Sequence, residues 1–373
     1  MYCTIHIWKK RGQVYFVRYY FSSPKIGKYD DMIYETEDLI IIYKIDTDRK
    51  INAAGSEEEN GSGTEYYGDV EILRVYSRTP CVVIPGILDV YKVTKVGEYC
   101  FAEISHIEEK YSVELDNTQK DIYHEAAGNY ILEVMLPESI KSIGRNAFYN
   151  CRKLKSVTVG AACEEIGGDI FMNCRSLNTI NVACNVNERS GIKQLLSRYS
   201  SDIEVVYECN SEISAKIFYP EYVESYDEIA PAHIFGRNIT GEGFRARECF
   251  TEGVPNLGQY DEIFEKASAE ESIKTASKIA LDRLLYPVDL SEKAKEQYLG
   301  YIWEYDSDIM RILVSEKELE TIYFLCSEGY IKAPAYDVGI AAATADEWGE
   351  GAASMLKWKH KFCGDIKKSR YSF

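Results

Sequence analysis

Residues 143–182 contain one pattern twice. Ile143, Gly144, Phe148, Asn150, Cys151, Arg152, Leu154 and Val159 recur 23 residues later as Ile166, Gly167, Phe171, Asn173, Cys174, Arg175, Leu177 and Val182. Few folds tolerate such a period. In a solenoid each coil buries its apolar side chains against the same side chains of the coil before it, so identical residues must return at a fixed spacing. The register that follows is specific: Phe148 stacks over Phe171, Cys151 over Cys174, and Leu154 over Leu177. Strand side chains alternate with period two. Val134 and Leu136, Val157 and Val159, and Ile180 and Val182 therefore point into the core. Glu133, Met135, Ser156, Thr158, Thr179 and Asn181 then point outward.

Weaker copies precede these two. Val96, Gly97 and Phe101 match the start of the pattern, with Val in place of Ile. The strand that should follow Phe101 is delayed to Ile131–Pro137, so the stretch 102–128 is an insert, charged and without a hydrophobic period. Cys81 to Pro85 has the form of Glu133 to Pro137, and Gly68 to Tyr76 reads as a lead-in strand. This pattern resembles the BspA-like leucine-rich repeats of bacterial proteins, whose signature runs Ile-Gly-x-x-Ala-Phe-x-x-Cys-x-x-Leu-x-x-Ile-x-Leu-Pro. The match is strong over 131–183, fair over 66–101 and absent over 1–60. The resemblance implies a short β-solenoid that offers an extended surface for a macromolecule rather than a pocket.

The flanks differ. Ile5–Trp8, Val14–Tyr20 and Leu39–Ile45 read as strands from their β-branched and aromatic content. Residues 48–64 are polar and rich in Gly and Ser, as a loop or linker is, and with parts of 102–128 they are expected to be the most mobile segments. Beyond 209 the period becomes helical: Ile273, Ala276, Ala280 and Leu284 share one face. Asp289 with Glu292, and Ser315 with Glu318, have the spacing of capping boxes, and Gly329 suits a helix stop. Residues 319–329, 338–345 and 352–362 resemble degenerate ankyrin helix pairs that lack the Thr-Pro-Leu-His turn. The expected class is α+β. An N-terminal β segment and loop covers 1–65, the solenoid 66–208, and an α-helical, ankyrin-like domain 209–373.

The chain carries 43 Lys and Arg against 60 Asp and Glu, a net charge of −17. That balance repels nucleic acid and anionic membranes, and no stretch has the ~20 apolar residues of a membrane helix. There are 11 cysteines and no apolar h-region in Met1 to Gln13, which fits free thiols in a reducing cytoplasm. Cys151 and Cys174 read as stacked small hydrophobes, with a metal or disulfide pair as the alternative. None of the five histidines lies in a ligand or nucleophile motif, and neither glycine run has a phosphate-loop pattern. No metal and no cofactor is expected. Arg245 and Arg247 fit either an acidic ligand or surface or interdomain ion pairs, and the C-terminal lysines a solvated helix end. The function that emerges is protein–protein interaction by a non-enzyme, with Glu133, Met135, Ser156, Thr158, Thr179 and Asn181 as the contact platform. The alternatives are a hydrolase with its site between solenoid and helices, and a passive scaffold subunit.

Overall fold

The computed structural model describes residues 3–10, 13–20, 32–46, 68–104, 115–229 and 234–363. Two compact units are present: Met1–Ser214 with Phe250–Val254, and Ala215–Cys249 with Pro255–Phe373.

The first unit opens with an antiparallel hairpin of β1 (Cys3–Lys10) and β2 (Gln13–Tyr20). Strands β3 (Met32–Glu35), β4 (Leu39–Ile45) and β5 (Asp69–Ser77) form an antiparallel meander. Winding then begins, through β6 (Cys81–Val83), β7 (Ile87–Leu88) and β8 (Tyr91–Val96). The insert contributes α1 (Asn117–Ile122) and β9 (His124–Glu125). Later coils supply β10 (Glu133–Met135), β11 (Ser142–Ile143), β12 (Ser156–Gly160), β13 (Glu165–Ile166) and β14 (Thr179–Ala183). The last described coil replaces its turn with α2 (Ile192–Leu196) and ends in β15 (Ile203–Cys209). One parallel ladder runs β6-β10-β12-β14-β15. A second runs β8-β11-β13 and is continued by β5, β4 and β3. Residues 32–45, read from sequence as part of an N-terminal segment, thus lengthen this second sheet.

The recurring glycines have a steric reason. A Cβ on Gly144 would lie 2.5 Å from Glu98 N, and one on Gly167 2.4 Å from Arg145 N. Any side chain there would push adjacent coils apart. Two residues on, Tyr99, Asn146 and Asp169 have φ of 54–56°, and Asn150 and Asn173 repeat the left-handed turn at 61° and 63°. Asn and Asp adopt this region more readily than other non-glycine residues. Asn173 also donates to Asn150 Oδ1 at 2.8 Å, which ties coil to coil.

The core shows the register that the period predicts. Phe148 stacks on Phe101 with centroids 5.0 Å apart and on Phe171 at 5.6 Å. Tyr199 closes the row edge-on at 6.1 Å, and its hydroxyl donates to Leu177 O at 2.8 Å. Cys151 donates to Phe101 O and Cys174 to Phe148 O. Leu154 and Leu177 are buried. The inward strand residues Val134, Leu136, Val157, Val159, Ile180 and Val182 are buried as well.

The expectation of mobility at 48–64 lies outside the described residues, as does 105–114. Residues 115–128 form regular structure. Asp116 and Gln119 form a reciprocal capping box on α1, Leu115 and Tyr123 cluster with Ile40, and β9 pairs with β5. Glu125 meets the buried guanidinium of Arg74 at 2.6 Å. Arg74 also donates to the carbonyls of Tyr99 and Cys100, so this buried cation fastens the insert to the first coil.

The boundary between the units falls within β16 (Glu212–Tyr219). The second unit is not wholly helical: β17 (Val223–Ile229) and β18 (Ile234–Thr240) pair antiparallel. After α3 (Gly243–Glu248), the chain rejoins the first unit at Phe250–Val254, through β19 (Phe250–Thr251) and β20 (Val254–Pro255). Eight helices follow: α4 (Leu257–Glu262), α5 (Phe264–Glu270), α6 (Ile273–Leu285), α7 (Glu292–Glu304), α8 (Asp306–Ser315), α9 (Leu319–Ser327), α10 (Ala333–Ala345) and α11 (Gly349–Cys363). Ile279, Tyr298, Ile309 and Ile322 form part of their core. A buried bidentate pair of Arg283 with Asp261, at 2.7 and 3.1 Å, is completed by the Tyr298 hydroxyl on Asp261.

Both expected capping boxes are wrong. Ser291, not Asp289, caps α7 by accepting from Ala294 N. Ser315 lies in the last turn of α8 and bonds back to Ile312 O, which leaves α9 to start at Glu318 without a side-chain cap. The residue spacing was present, but the helix boundaries lay elsewhere. Gly329, with φ 70°, follows the end of α9 as expected.

Candidate functional site

The β6-β10-β12-β14-β15 ladder sets its outward side chains in two rows at the strand spacing of about 4.8 Å. One row is Cys81, Glu133, Ser156, Thr179 and Glu204. The other is Val83, Met135, Thr158, Asn181 and Val206. All six residues expected to form the platform lie in these rows, so the structure brings them together on one face.

Their exposure differs from the expectation. Glu133, Met135 and Thr179 are half-buried, but Ser156, Thr158 and Asn181 are only 8%, 7% and 9% exposed. Short side chains in the middle of a parallel ladder are shaded by a neighbour on either side. Thr158 stands between Met135 and Asn181 and accepts from Asn181 Nδ2 at 3.3 Å. The residues overlooked from sequence are those at the ends, Cys81, Val83, Glu204 and Val206. For Cys81 and Val83 the signal was the similarity of 81–85 to 133–137. For β15 it was Gly191, whose Cβ would lie 1.8 Å from Cys163 O, in a coil whose Phe has become Tyr199.

Arg245 and Arg247 serve the second unit internally. Arg247 is buried; its Nη1 donates to Pro220 O at 2.5 Å and Gly243 O at 2.9 Å, and its guanidinium lies over the Tyr222 ring at 5.2 Å. Arg245 pairs with the buried Glu242 at 3.1 Å, and Lys266 meets the same carboxylate at 2.6 Å. Arg245 thus forms an ion pair at the surface, one of the two sequence readings, whereas neither reading gave the backbone carbonyl contacts of buried Arg247.

Thiol chemistry is suppressed in the repeats. Burial pushes Cys100 and Cys163 up to about 12 and Cys184 up to about 11. Cys151 is raised by burial and by Cys174 beside it. Such groups remain protonated at neutral pH, and it is the thiolate that attacks or binds metal. Among the described residues, no three His, Cys, Asp or Glu come together as a metal-ligand set, and no helix is long and apolar enough to cross a membrane. His124, exposed, packs against the Tyr130 ring at 5.0 Å, and His360 is exposed on α11.

Residues 87–203 match the model of the BspA type leucine rich repeat region, in 6 copies. A leucine rich cell surface protein from Faecalibacterium prausnitzii A2-165, solved by crystallography, is similar at 17% identity with a TM-score of 0.24. The alignment covers 49% of this chain and 44% of that one, so the chain spans less than half the length of that protein. No curated protein matches. The 23-residue register, the glycine contacts between coils and the family match agree: the chain carries a BspA-type leucine-rich-repeat solenoid, followed by a region rich in helices.

Proposed function

We propose that the protein is a non-enzymatic binding protein whose solenoid holds a partner protein along the outward face of the β6-β10-β12-β14-β15 ladder. The observation that supports this is the pair of in-register rows, which run unbroken across five strands. Such a strip fixes side chains at a constant pitch over several coils, which suits a long contact rather than a small molecule. Its middle is uncharged, with Glu133 and Glu204 nearer the ends. Met135 and Thr179 are the contact residues best placed to reach a partner, because they are half-buried where Ser156, Thr158 and Asn181 are covered. The buried thiols fit a reducing compartment such as the cytoplasm. Mass measurement of the native chain without reductant, showing 11 unpaired thiols, supports that placement, and stable bridges overturn it. The binding assignment is tested by capturing partners from the source cells with the wild-type chain and with M135R/T179R. Thermal stability should stay within about 0.5–1 kcal/mol, as at partly exposed sites. Partners retained by wild type and lost by the variant support the reading; equal capture by both refutes it.

A further inference from the structure

The second unit contains its own repeat, which residue identity hides. The hairpins α8–α9 and α10–α11 have the same turn, offset by about 30 residues, a spacing typical of helical repeats. Glu318 N–H donates to Leu313 O at 2.9 Å, and Trp348 N–H to Ala343 O at 2.8 Å. Lys317 N–H bonds to Val314 O as Glu347 N–H does to Thr344 O. Lys317 and Glu347 are both left-handed, with φ of 56° and 53°. Position by position, Met310 corresponds to Ile340, Val314 to Thr344, Cys326 to Leu356, and Ile331 to Lys361.

Burial at these equivalent positions diverges. Met310, Val314, Cys326 and Ile331 are buried in the first hairpin. Met310 and Cys326 lie on the side on which the second hairpin stacks: α10 packs on α8 and α11 on α9, Met310 lies against Gly339, Tyr336 donates to Cys326 O, and the Trp358 ring meets Tyr323 at 5.2 Å. In the second hairpin Ile340 is half-buried, Thr344 and Lys361 are exposed, and Leu356 is 59% exposed. Ala353, Leu356, Lys357, His360 and Lys361 line a shallow groove there. The α11 face is therefore the positional equivalent of the face that α9 presents to α11, and among the described residues no hairpin covers it. Its apolar part is Leu356 with Ala353, and Lys357, His360 and Lys361 lie beside them.

We propose that this face docks a helix of a partner protein that carries aspartate or glutamate beside an apolar stripe. A helix is the matching shape because helices cover the equivalent face of the first hairpin. Acidic flanks follow from charge. Lys359 is paired with Asp337, whereas Lys357 and Lys361 meet no carboxylate among the described residues. A second copy joined through this face by a twofold axis would pair different residues across the axis, and sedimentation separates that outcome below. Residues 364–373 are disfavoured by the same charges, since they carry Lys367, Lys368 and Arg370 against one acid, Asp365.

The test uses the full chain and a displayed library of helix-forming peptides about 20 residues long, or about 30 Å of helix. A Leu/Ala stripe is fixed and its flanking positions are randomised. Panning on wild type should enrich Asp and Glu at the flanks. The enriched peptides should bind K357E/K361E and L356E about tenfold or more weakly than wild type, with the variants' thermal unfolding unchanged, and should bind M135R/T179R normally. That last control separates this face from the solenoid strip. Absence of acidic enrichment, or binding indifferent to L356E, overturns the proposal. A dimer in sedimentation that L356E abolishes assigns the face to a second copy instead.

Discussion

Phe148→Ala removes the middle ring of the aromatic row. Phe148 is fully buried and lies between Phe101, at 5.0 Å and nearly parallel, and Phe171, at 5.6 Å. Truncating a buried Phe costs about 3–5 kcal/mol. Each aromatic pair adds about 0.5–1.5 kcal/mol beyond area burial, and this substitution loses two, so the cost should fall in the upper part of that range, about 4–5 kcal/mol. The coils on either side hold the cavity open, because the glycine contacts fix their separation. Amide exchange across 131–183, read by mass spectrometry over a denaturant series, isolates the solenoid from the helical unit, whose unfolding need not coincide. A sharper check is coupling. Double-mutant cycles of Phe101→Leu with Phe148→Leu, and of Phe148→Leu with Phe171→Leu, should each give about 0.5–1.5 kcal/mol. The cycle of Phe101→Leu with Phe171→Leu should give less than about 0.5 kcal/mol, since those rings are separated by Phe148. A cost below about 1 kcal/mol for Phe148→Ala, or equal coupling in all three cycles, would refute the nearest-neighbour picture.

The two arginines of α3 should behave oppositely. Arg247→Ala strips donors from two buried carbonyls and should cost about 2–4 kcal/mol, whereas Arg245→Ala, at a side chain 58% exposed, should stay within about 1 kcal/mol; a reversed order in urea melts would contradict the contacts described. Cys100 and Cys163, raised to about 12 by burial, make stability fall in alkali. The unfolded chain, with thiols near pKa 8.5, releases those protons first, so their contribution is complete below about pH 8.5 and is lost as pH rises toward 12. Chemical unfolding at stepped pH measures the decline, and maleimide at pH 7 should reach the exposed Cys81 well before Cys100; equal labelling rates would show the coil to be open.

The solenoid was legible because its stabilising contacts join like to like. Phe148 meets Phe171 and Asn150 meets Asn173, so packing itself writes the period into the sequence. The first and last coils were less legible because they interrupt that self-matching. The insert after Phe101 is held by Arg74 and Glu125, a contact 51 residues apart in the chain, and the final coil substitutes α2 and Tyr199 for the usual turn. Alternation in the strands set the six residues in two in-register rows. It could not give exposure, which depends on the size of the neighbours in the row: Thr158 is covered although it points away from the core.

The helical repeat was hidden for the opposite reason. Its two copies share a backbone turn and a pattern of burial, but few residues, because a helix–helix contact accepts any side chains of suitable combined size. Met310 of the first copy faces the second copy at Gly339, where a Cβ would lie 2.6 Å from Met310 Cγ and 2.7 Å from Met355 Sδ. Large meets small across this contact, whereas like meets like in the β-solenoid. A comparison of letters therefore finds one array and misses the other. What separates them physically is the direction of the fixed spacing: strand pairing sets coils a constant distance apart and forces similar residues into each, while stacked helices adjust their separation to the residues they have. That same tolerance is what would let a foreign helix take the place of a third hairpin on α11, with Leu356 as the anchor and Lys357 and Lys361 selecting its charge.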